Sequence, residues 1–216
     1  MNHVSVIIPA HNEEETIGQV IDKVRDSKIK SEIIVVDNCS TDKTSEIAKS
    51  KEVKTVYCSN RGKGYAMETG LQHTSGDTVV FIDGDLGIYT HDIIGLMVDP
   101  IIERNVEFTK SAFSREGGRV TELVAKPLLE LLFSDIQSFE QPLSGIIAGK
   151  REIFDKITFE KDYGVDIGIL LDMVNMKVKI EEVHIGRIDN NSQSWQSLSK
   201  MAKEVASAIL KRANKI

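Results

Sequence analysis

No apolar run in this 216-residue sequence approaches the ~20 residues that a bilayer-spanning helix requires. The amino terminus lacks a basic region followed by a long apolar core and begins directly with the strand-like Val4-Ser5-Val6-Ile7-Ile8. Neither an integral membrane segment nor a secretory signal is therefore expected. Cysteine is scarce. Cys39 and Cys58 match no metal or redox spacing and make no secreted disulfide framework, which points to free thiols in a reducing cytoplasm. Positive charge is in deficit: a formal charge of −6 gives no general attraction to nucleic acid or to an anionic membrane. An anionic substrate would have to be met by local cations or by a metal. Two nucleotide signatures are also missing. No GxGxxG follows the first strand-like run, because Gly62-Lys63-Gly64 lies after the third and the next glycine is Gly70; no P-loop motif occurs anywhere. A dinucleotide-dependent dehydrogenase and a P-loop NTPase are both disfavoured.

What is present is a regular alternation of strand and helix signals in a composition ordinary for one globular core, 41% hydrophobic and 28% charged. Val4 to Ile8 reads as a strand stopped by Pro9. Glu13, Glu14 and Glu15 are expected in the first turn of a helix, and Ile17, Val20, Ile21 and Val24 recur on one face of it. Ile33 to Val36 is a second strand ending in Asp37, after which Ser40 or Thr41 is expected to cap a helix containing Ile47 and Ala48. Val53 to Tyr57 is a third strand, the Gly62-Lys63-Gly64 turn precedes a helix with Ala66, Met67, Gly70 and Leu71, and Thr78 to Ile82 is a fourth strand. This spacing predicts parallel βαβ units in an α/β, doubly wound sheet.

The fourth strand carries the strongest chemical signal. Thr78-Val79-Val80-Phe81-Ile82 lacks alternation, as a strand buried on both faces does, and ends in Asp83-Gly84-Asp85. Open α/β sheets bind ligands at the carboxyl ends of their strands, and Mg2+ uses one or two carboxylates plus substrate phosphates. The same Asp-Gly-Asp also suits an ordinary turn. His11-Asn12-Glu13 and Asp37-Asn38 follow the first and second strands and could converge with it. Asp37 is either an acceptor for a base or ribose or a cap for its own loop. Lys63 is either a diphosphate contact between two glycines or a solvated loop lysine.

In the second half, Ile93, Ile94, Met97, Val98, Ile101 and Ile102 predict an amphipathic helix interrupted near Pro100, and Val106 to Ser111 predicts a strand with Lys110 on one face. Ser114 to Arg119 is a glycine- and charge-rich loop suited to an anion, leading into an apolar helix around Pro127; Arg119 either meets that anion or pairs with a carboxylate such as Glu122. Gln141 to Arg151 reads as a strand, and Asp166 falls in the first turn of a helix, where a surface carboxylate is ordinary. Val178, Ile180 and Val183 predict a last strand. Trp195, Leu198, Ala202, Val205 and Ile209 form a helical stripe, read as core or as a dimer seam.

Val6-Ile7-Ile8-Pro9-Ala10-His11-Asn12-Glu13-Glu14-Glu15, Val35-Val36-Asp37-Asn38-Cys39-Ser40-Thr41-Asp42 and Asp83-Gly84-Asp85, in that order, resemble the nucleotide-binding half of GT-A glycosyltransferases. The resemblance implies a mostly parallel sheet with helices on both faces. It also implies a single domain, residues 1–90 holding the nucleotide sugar and residues 91–216 the acceptor. It further implies that Pro9, Ala10, His11, Glu13, Asp37 and Asn38 hold the nucleoside, that Asp83 lies near the ribose, and that Asp85 ligates Mg2+ or Mn2+.

Gly117-Gly118-Arg119-Val120-Thr121-Glu122-Leu123-Val124-Ala125, Gln141-Pro142-Leu143-Ser144-Gly145 and Tyr163-Gly164-Val165-Asp166-Ile167-Gly168 are similar to stretches of glucosyl-3-phosphoglycerate synthases. That similarity implies retaining transfer of glucose from a nucleoside diphosphate to 3-phosphoglycerate, a small anionic acceptor. On it, Gly118, Arg119 and Thr121 hold the acceptor, Lys63 helps hold the donor and Asp166 binds the sugar; Asp85, Asp166 and Arg119 are the residues expected to carry catalysis. Asp166 stands where the family has glutamate, Ile146 where it has a polar residue, and the family's metal-binding histidine falls at or near Asn190, with Asp189 or His184 as other candidates. The resemblance and the closing helix together imply a homodimer. A polyprenyl-phosphate hexosyltransferase and an inactive nucleotide-sugar-binding protein are the alternative readings.

Overall fold

The computed structural model describes residues 3–87, 91–114, 118–133, 138–188 and 194–215. Its centre is the run read above as doubly buried. Val79, Val80 and Phe81 of strand β4 (Thr78–Phe81) are all fully buried, alternate residues facing opposite cores. Around it lie β1 (Val4–Ala10), β2 (Ser31–Asp37), β3 (Lys54–Tyr57), β5 (Phe108–Ser114), β6 (Ile147–Lys150) and β7 (Ile180–Arg187). The seven strands form one sheet in the order β3-β2-β1-β4-β6-β5-β7, in which β6 runs antiparallel to both its neighbours and all other pairs are parallel. Connections leave β1 toward β2 on one side and return to β4 on the other. The carboxyl ends of β1 and β4 therefore flank a topological switch point, where such sheets bind ligands.

One face of the sheet is covered by α1 (Ile17–Arg25), α2 (Thr44–Ser50) and α4 (Ile93–Glu103). The other carries α3 (Lys63–Gln72), α6 (Arg151–Phe154), α7 (Val165–Asn175) and α8 (Trp195–Arg212). A π-helical segment, Thr121–Ala125, runs directly into α5 (Lys126–Leu132). The apolar stripe of α8 divides: Val205 and Ile209 are buried in the same cluster as Val165, Ile169 and Leu170 of α7, Leu198 and Ala202 pack partly buried against it, and Trp195 is exposed. Among the described residues no helix is long and apolar enough to cross a membrane.

Several local expectations are corrected. Strand β1 continues through Pro9, because that residue's missing N–H falls on the β4 side, where the pairing between the two strands has already ended at Ile7 and Phe81. The three glutamates precede α1. Glu13 closes a turn, its carbonyl accepting from Thr16 and Ile17 N–H, and the helix proper starts at Ile17. Helix α2 begins at Thr44, and Asp42, not Ser40 or Thr41, takes the Thr44 N–H at 2.9 Å. Pro100 does not interrupt α4. The carbonyl it leaves without a helical donor belongs to Leu96, on the exposed side, while Ile94, Met97, Val98 and Ile101 anchor the opposite face. Of the stretch Gln141–Arg151 only Ile147–Lys150 is strand; Ser144 N–H closes a turn onto the Gln141 carbonyl.

Helix α3 lies so close to the sheet that a Cβ on Gly70 would sit 2.4 Å from Ile7 Cγ2 and 3.1 Å from Val36 Cγ2. Both neighbours are fully buried β-branched residues of central strands. Gly70→Ala is therefore expected to lower stability by about 1–3 kcal/mol from overpacking, in spite of alanine's better helix propensity of about 1 kcal/mol. A urea midpoint equal to or above that of the native sequence would contradict this packing.

Candidate active site

Loops from the carboxyl ends of β1, β2 and β4 and from the starts of α3 and α7 enclose a cleft of about 1350 Å³. The first two loops are stitched together by backbone-to-side-chain bonds. Asn12, in a left-handed conformation, donates its N–H to Ser40 Oγ (3.1 Å) and accepts the Thr41 N–H at Oδ1 (2.8 Å). Glu13 N–H reaches Thr44 Oγ1 at 2.7 Å, and Glu14 N–H reaches Asp42 at 3.1 Å. His11 Nδ1 lies 2.7 Å from the Asn38 carbonyl. Pro9, Ala10, His11 and Glu13 all line the cleft, as does Asn38. Asp37 is buried below them, its Oδ1 taking the Ser40 N–H at 3.0 Å, so the capping alternative describes its contact.

Asn38 also sets the next element. Its Oδ1 accepts the Gly62 N–H at 2.8 Å and its Nδ2 donates to the Asn60 carbonyl at 2.7 Å, which fixes the start of α3. Lys63 is thus in the first turn of a helix, not in a loop. The flanking glycines are demanded by protein backbone. Gly62 has φ 144°, and a Cβ on Gly64 would collide with the Glu160 carbonyl at 1.6 Å. So positioned, Lys63 Nζ bridges Asp83 Oδ1 at 2.7 Å and Asp166 Oδ2 at 2.9 Å. Burial opposes its charge, but the Asp166 and Asp83 carboxylates outweigh it and hold the ammonium above the usual lysine range.

Asp166 is not the surface carboxylate that its place in the first turn of α7 would suggest. It is 7% exposed, and its Oδ1 has no hydrogen-bond partner among the described residues. Burial pushes its pKa up, opposed by Lys63 and reinforced by Asp83. Asp83-Gly84-Asp85 is both a turn and a site element. Leu86 N–H closes the turn onto the Asp83 carbonyl at 3.2 Å, and Thr16 Oγ1 holds the Gly84 carbonyl at 2.8 Å. Asp85 opens into the cleft, where burial by the surrounding walls and then repulsion from Asp83 raise its pKa. Glu13 is pushed up to about 7, by burial first and then by Asp85, with Asp83 and Asp42 adding to the effect against a hydrogen bond from Thr16.

These crowded carboxylates suit a hard divalent cation, which would relieve their mutual repulsion. Among the described residues no cluster of three or more ligand-type side chains is already assembled. His184 is turned elsewhere, pairing through Nε2 with Glu140 at 2.9 Å, and does not line the cleft. Asn190 and Asp189 lie outside the described residues; Ile188, just before them, shares a small cavity with Asp83 and Asp85.

On the opposite wall stand Gly118, Arg119 and Thr121, at the start of the π-helical segment. Glu122 does not pair with Arg119, because Lys126 one turn on takes it at 2.6 Å. The Arg119 guanidinium instead lies 4.9 Å from the centre of the exposed Trp195 ring, tying this wall to α8. Arg61, Tyr163 and Lys200 also line the cleft and were not singled out from the sequence. Arg61 stands two residues before Lys63 in the sequence, which was a usable signal. Lys200 belongs to a polar helix face and is brought in only by the packing of α8 on α7.

Residues 5–159 match glycosyl transferase family 2. The chain is 34% identical over 242 residues to the glucosyl-3-phosphoglycerate synthase of Petrotoga mobilis, covering 98% of this chain and 74% of that protein. It is 35% identical over 237 residues to the enzyme of the same name from Mycobacterium tuberculosis, covering 97% and 73%. A crystal structure of a Mycobacterium tuberculosis glucosyl-3-phosphoglycerate synthase with Mn2+, UDP-glucose and phosphoglyceric acid superposes with a TM-score of 0.92, covering 99% of this chain and 80% of that one at 35% identity. Another, with Mg2+ and UDP, superposes equally well, with a TM-score of 0.92.

The raised pKa of Glu13 has a measurable sign. Between its ordinary value of 4.5 and about 7 the folded state holds the proton more tightly than the unfolded chain. Its stabilising contribution is therefore present below 4.5 and lost as pH rises through about 7. Without divalent cations, Glu13→Gln is expected to match the native sequence in stability near pH 4.5 and to exceed it near pH 8 by about 1–2 kcal/mol, a figure already reduced for partial solvent exposure. Equal stability of the two proteins at both pH values would contradict the crowding.

Proposed function

The chain belongs to glycosyltransferase family 2, and from that membership we propose that it transfers glucose from UDP-glucose to the 2-hydroxyl of 3-phosphoglycerate with retention, using Mg2+ or Mn2+. The observation that carries the reading is the pairing of two unlike walls across one cleft. The carboxylates after β4, with Lys63 of α3 paired to Asp83, line the same cleft as Arg119 and Thr121 at the start of the π-helical segment. The first set suits a cation-bridged diphosphate and the second suits a small anion. Similarity running through 98% of the chain to a synthase of that name supports the same substrates.

A divalent ion held at Asp85, completed by Asn190 or Asp189, would supply a Lewis acid for the charge that develops on the leaving diphosphate. The chain's own residues do the rest. Lys63, anchored on both sides, presents its remaining N–H to the donor. Asp166 Oδ1, buried and without a partner among the described residues, accepts a hydroxyl of the sugar. Arg119 can hold a phosphate or carboxylate bidentately, which an ammonium cannot. In a retaining transfer the leaving phosphate itself takes the acceptor proton on the same face, so no side chain needs to act as general base. Positioning of this kind supplies on the order of 7–11 kcal/mol at best.

In this reading the sheet and its helices form one domain, residues 1–90 serving the nucleotide sugar and residues 91–216 the acceptor. We place the reaction in the cytoplasm because Cys39 and Cys58 are free thiols. A homodimer is proposed on the resemblance, since the buried part of the α8 stripe, Val205 and Ile209, is used within the chain; light scattering at twice the chain mass is the expected result.

Purified protein should form glucosylglycerate phosphate from UDP-glucose and 3-phosphoglycerate, lose turnover in EDTA and regain it with Mn2+ or Mg2+. Arg119→Ala should raise the KM for 3-phosphoglycerate roughly tenfold to a hundredfold, with the KM for donor little changed, the expected loss for a charged hydrogen bond of about 1.5–3 kcal/mol. Mass spectrometry with lipid-phosphate acceptors in parallel separates the alternatives: turnover only on those favours a polyprenyl-phosphate hexosyltransferase. Donor binding without turnover on any acceptor favours a binding protein.

A further inference from the structure

Lys110 is 0% exposed, on a strand where an apolar residue of the same length would be the ordinary choice. It shares the β5 face of Phe108, which packs in the core formed with α3 and α7, and it reaches the underside of the cleft without lining it. Its Nζ donates to the Ser144 carbonyl at 2.6 Å, while Ser111 Oγ and Ser144 Oγ lie 2.5 Å apart beside it. The next residue, Gly145, is pressed onto the ion pair of the site. A Cβ there would sit 2.3 Å from Lys63 Nζ and 2.6 Å from both Asp83 carboxylate oxygens. The charges that act on Lys110 include Asp166 on α7, Lys63 on α3, Asp83 after β4 and Glu182, its register partner on β7. Burial pushes its own pKa down to about 8, against the pull of Asp166.

We propose that Lys110 is a positioning residue for the donor sugar. Its ammonium holds Ser144-Gly145 against the Lys63–Asp83 pair and supplies the second positive charge that keeps Asp166 ionised with Oδ1 free to accept a hydroxyl. Two carboxylates then face two ammonium groups; without Lys110, Lys63 alone would serve both Asp83 and Asp166. The inference rests on the functional reading above and adds to it a residue that touches neither substrate.

The test compares native protein with Lys110→Met and Lys110→Arg, each checked by circular dichroism. Lys110→Met should lower kcat/KM for UDP-glucose roughly tenfold to a hundredfold, the scale of a small misplacement in a site, and leave the KM for 3-phosphoglycerate unchanged. Native kcat/KM for donor should fall as pH rises through about 8. That basic limb should vanish in Lys110→Met and move to higher pH in Lys110→Arg, whose charge persists. A merely structural lysine would lower the melting temperature and leave the limb in place, which overturns the proposal. So does donor kcat/KM in Lys110→Met within about twofold of native. If Lys110→Met does not fold, a native profile without the limb overturns it. If the native protein turns over nothing, the functional reading falls separately. Calorimetric titration of UDP-glucose with Mn2+ into native protein and Lys110→Met then decides the inference, equal affinity counting against it.

Discussion

One ammonium between two carboxylates organises this molecule. Lys63 links Asp83, at the end of the central strand, to Asp166, at the start of a helix and 103 residues after Lys63. A buried ion pair is a poor source of net stability, because desolvation cancels much of the Coulomb gain. Its value here is positional. It joins the end of the central strand to the start of α7 across the floor of the cleft and leaves one oxygen of Asp166 buried without a partner among the described residues. Everything that touches the trio is built to tolerate it. Gly145 has no side chain because one would strike the pair, and Gly64 has none because the Glu160 carbonyl occupies that place.

Topology explains why the trio sits where it does. Parallel strands that leave β1 in opposite directions open a crevice between the ends of β1 and β4, and the loops there have no neighbouring strand to pair with. Their backbone groups are satisfied by side chains instead: Ser40, Thr44, Asp42 and Asn12 on one side, Asn38 toward α3 on the other. These bonds make a rigid rim out of irregular chain. That rim contrasts with the part of the cleft near the π-helical segment, where Arg119 rests on the exposed ring of Trp195 rather than on a buried partner. An arginine stacked at a rim can exchange that contact for an anion with little desolvation cost, whereas Lys63 cannot leave its two carboxylates.

Much of this was legible without coordinates, and the failures have a common cause. The doubly buried β4, the amphipathic α1 and the core stripe of α8 announce themselves because burial imposes a period on local sequence. Asp83, Asp85 and Glu13 line one cleft because each follows the carboxyl end of a buried strand, a position legible from the strand pattern alone. The misreadings occur where one local signal was given more weight than packing. Pro9 and Pro100 read locally as breaks, yet one lies where a ladder has ended and the other in a helix held by its buried face. Gln141 to Arg151 reads as a strand along the sequence, but a turn and the Lys110 ammonium hold its first six residues otherwise.

By itself the sequence determined the α/β class, the order of its elements, the site at the ends of the first, second and fourth strands, and the resemblance to a nucleotide-sugar transferase. Those properties follow from patterns spanning a few residues, or from motifs in a fixed order. Tertiary structure alone decided that Lys63 serves two carboxylates, that Asp166 is buried and that Lys110 lies beneath them both. Each depends on residues far apart in the chain meeting in a low-dielectric space. Charge interactions there are set by distance and burial, and neither can be read along a chain.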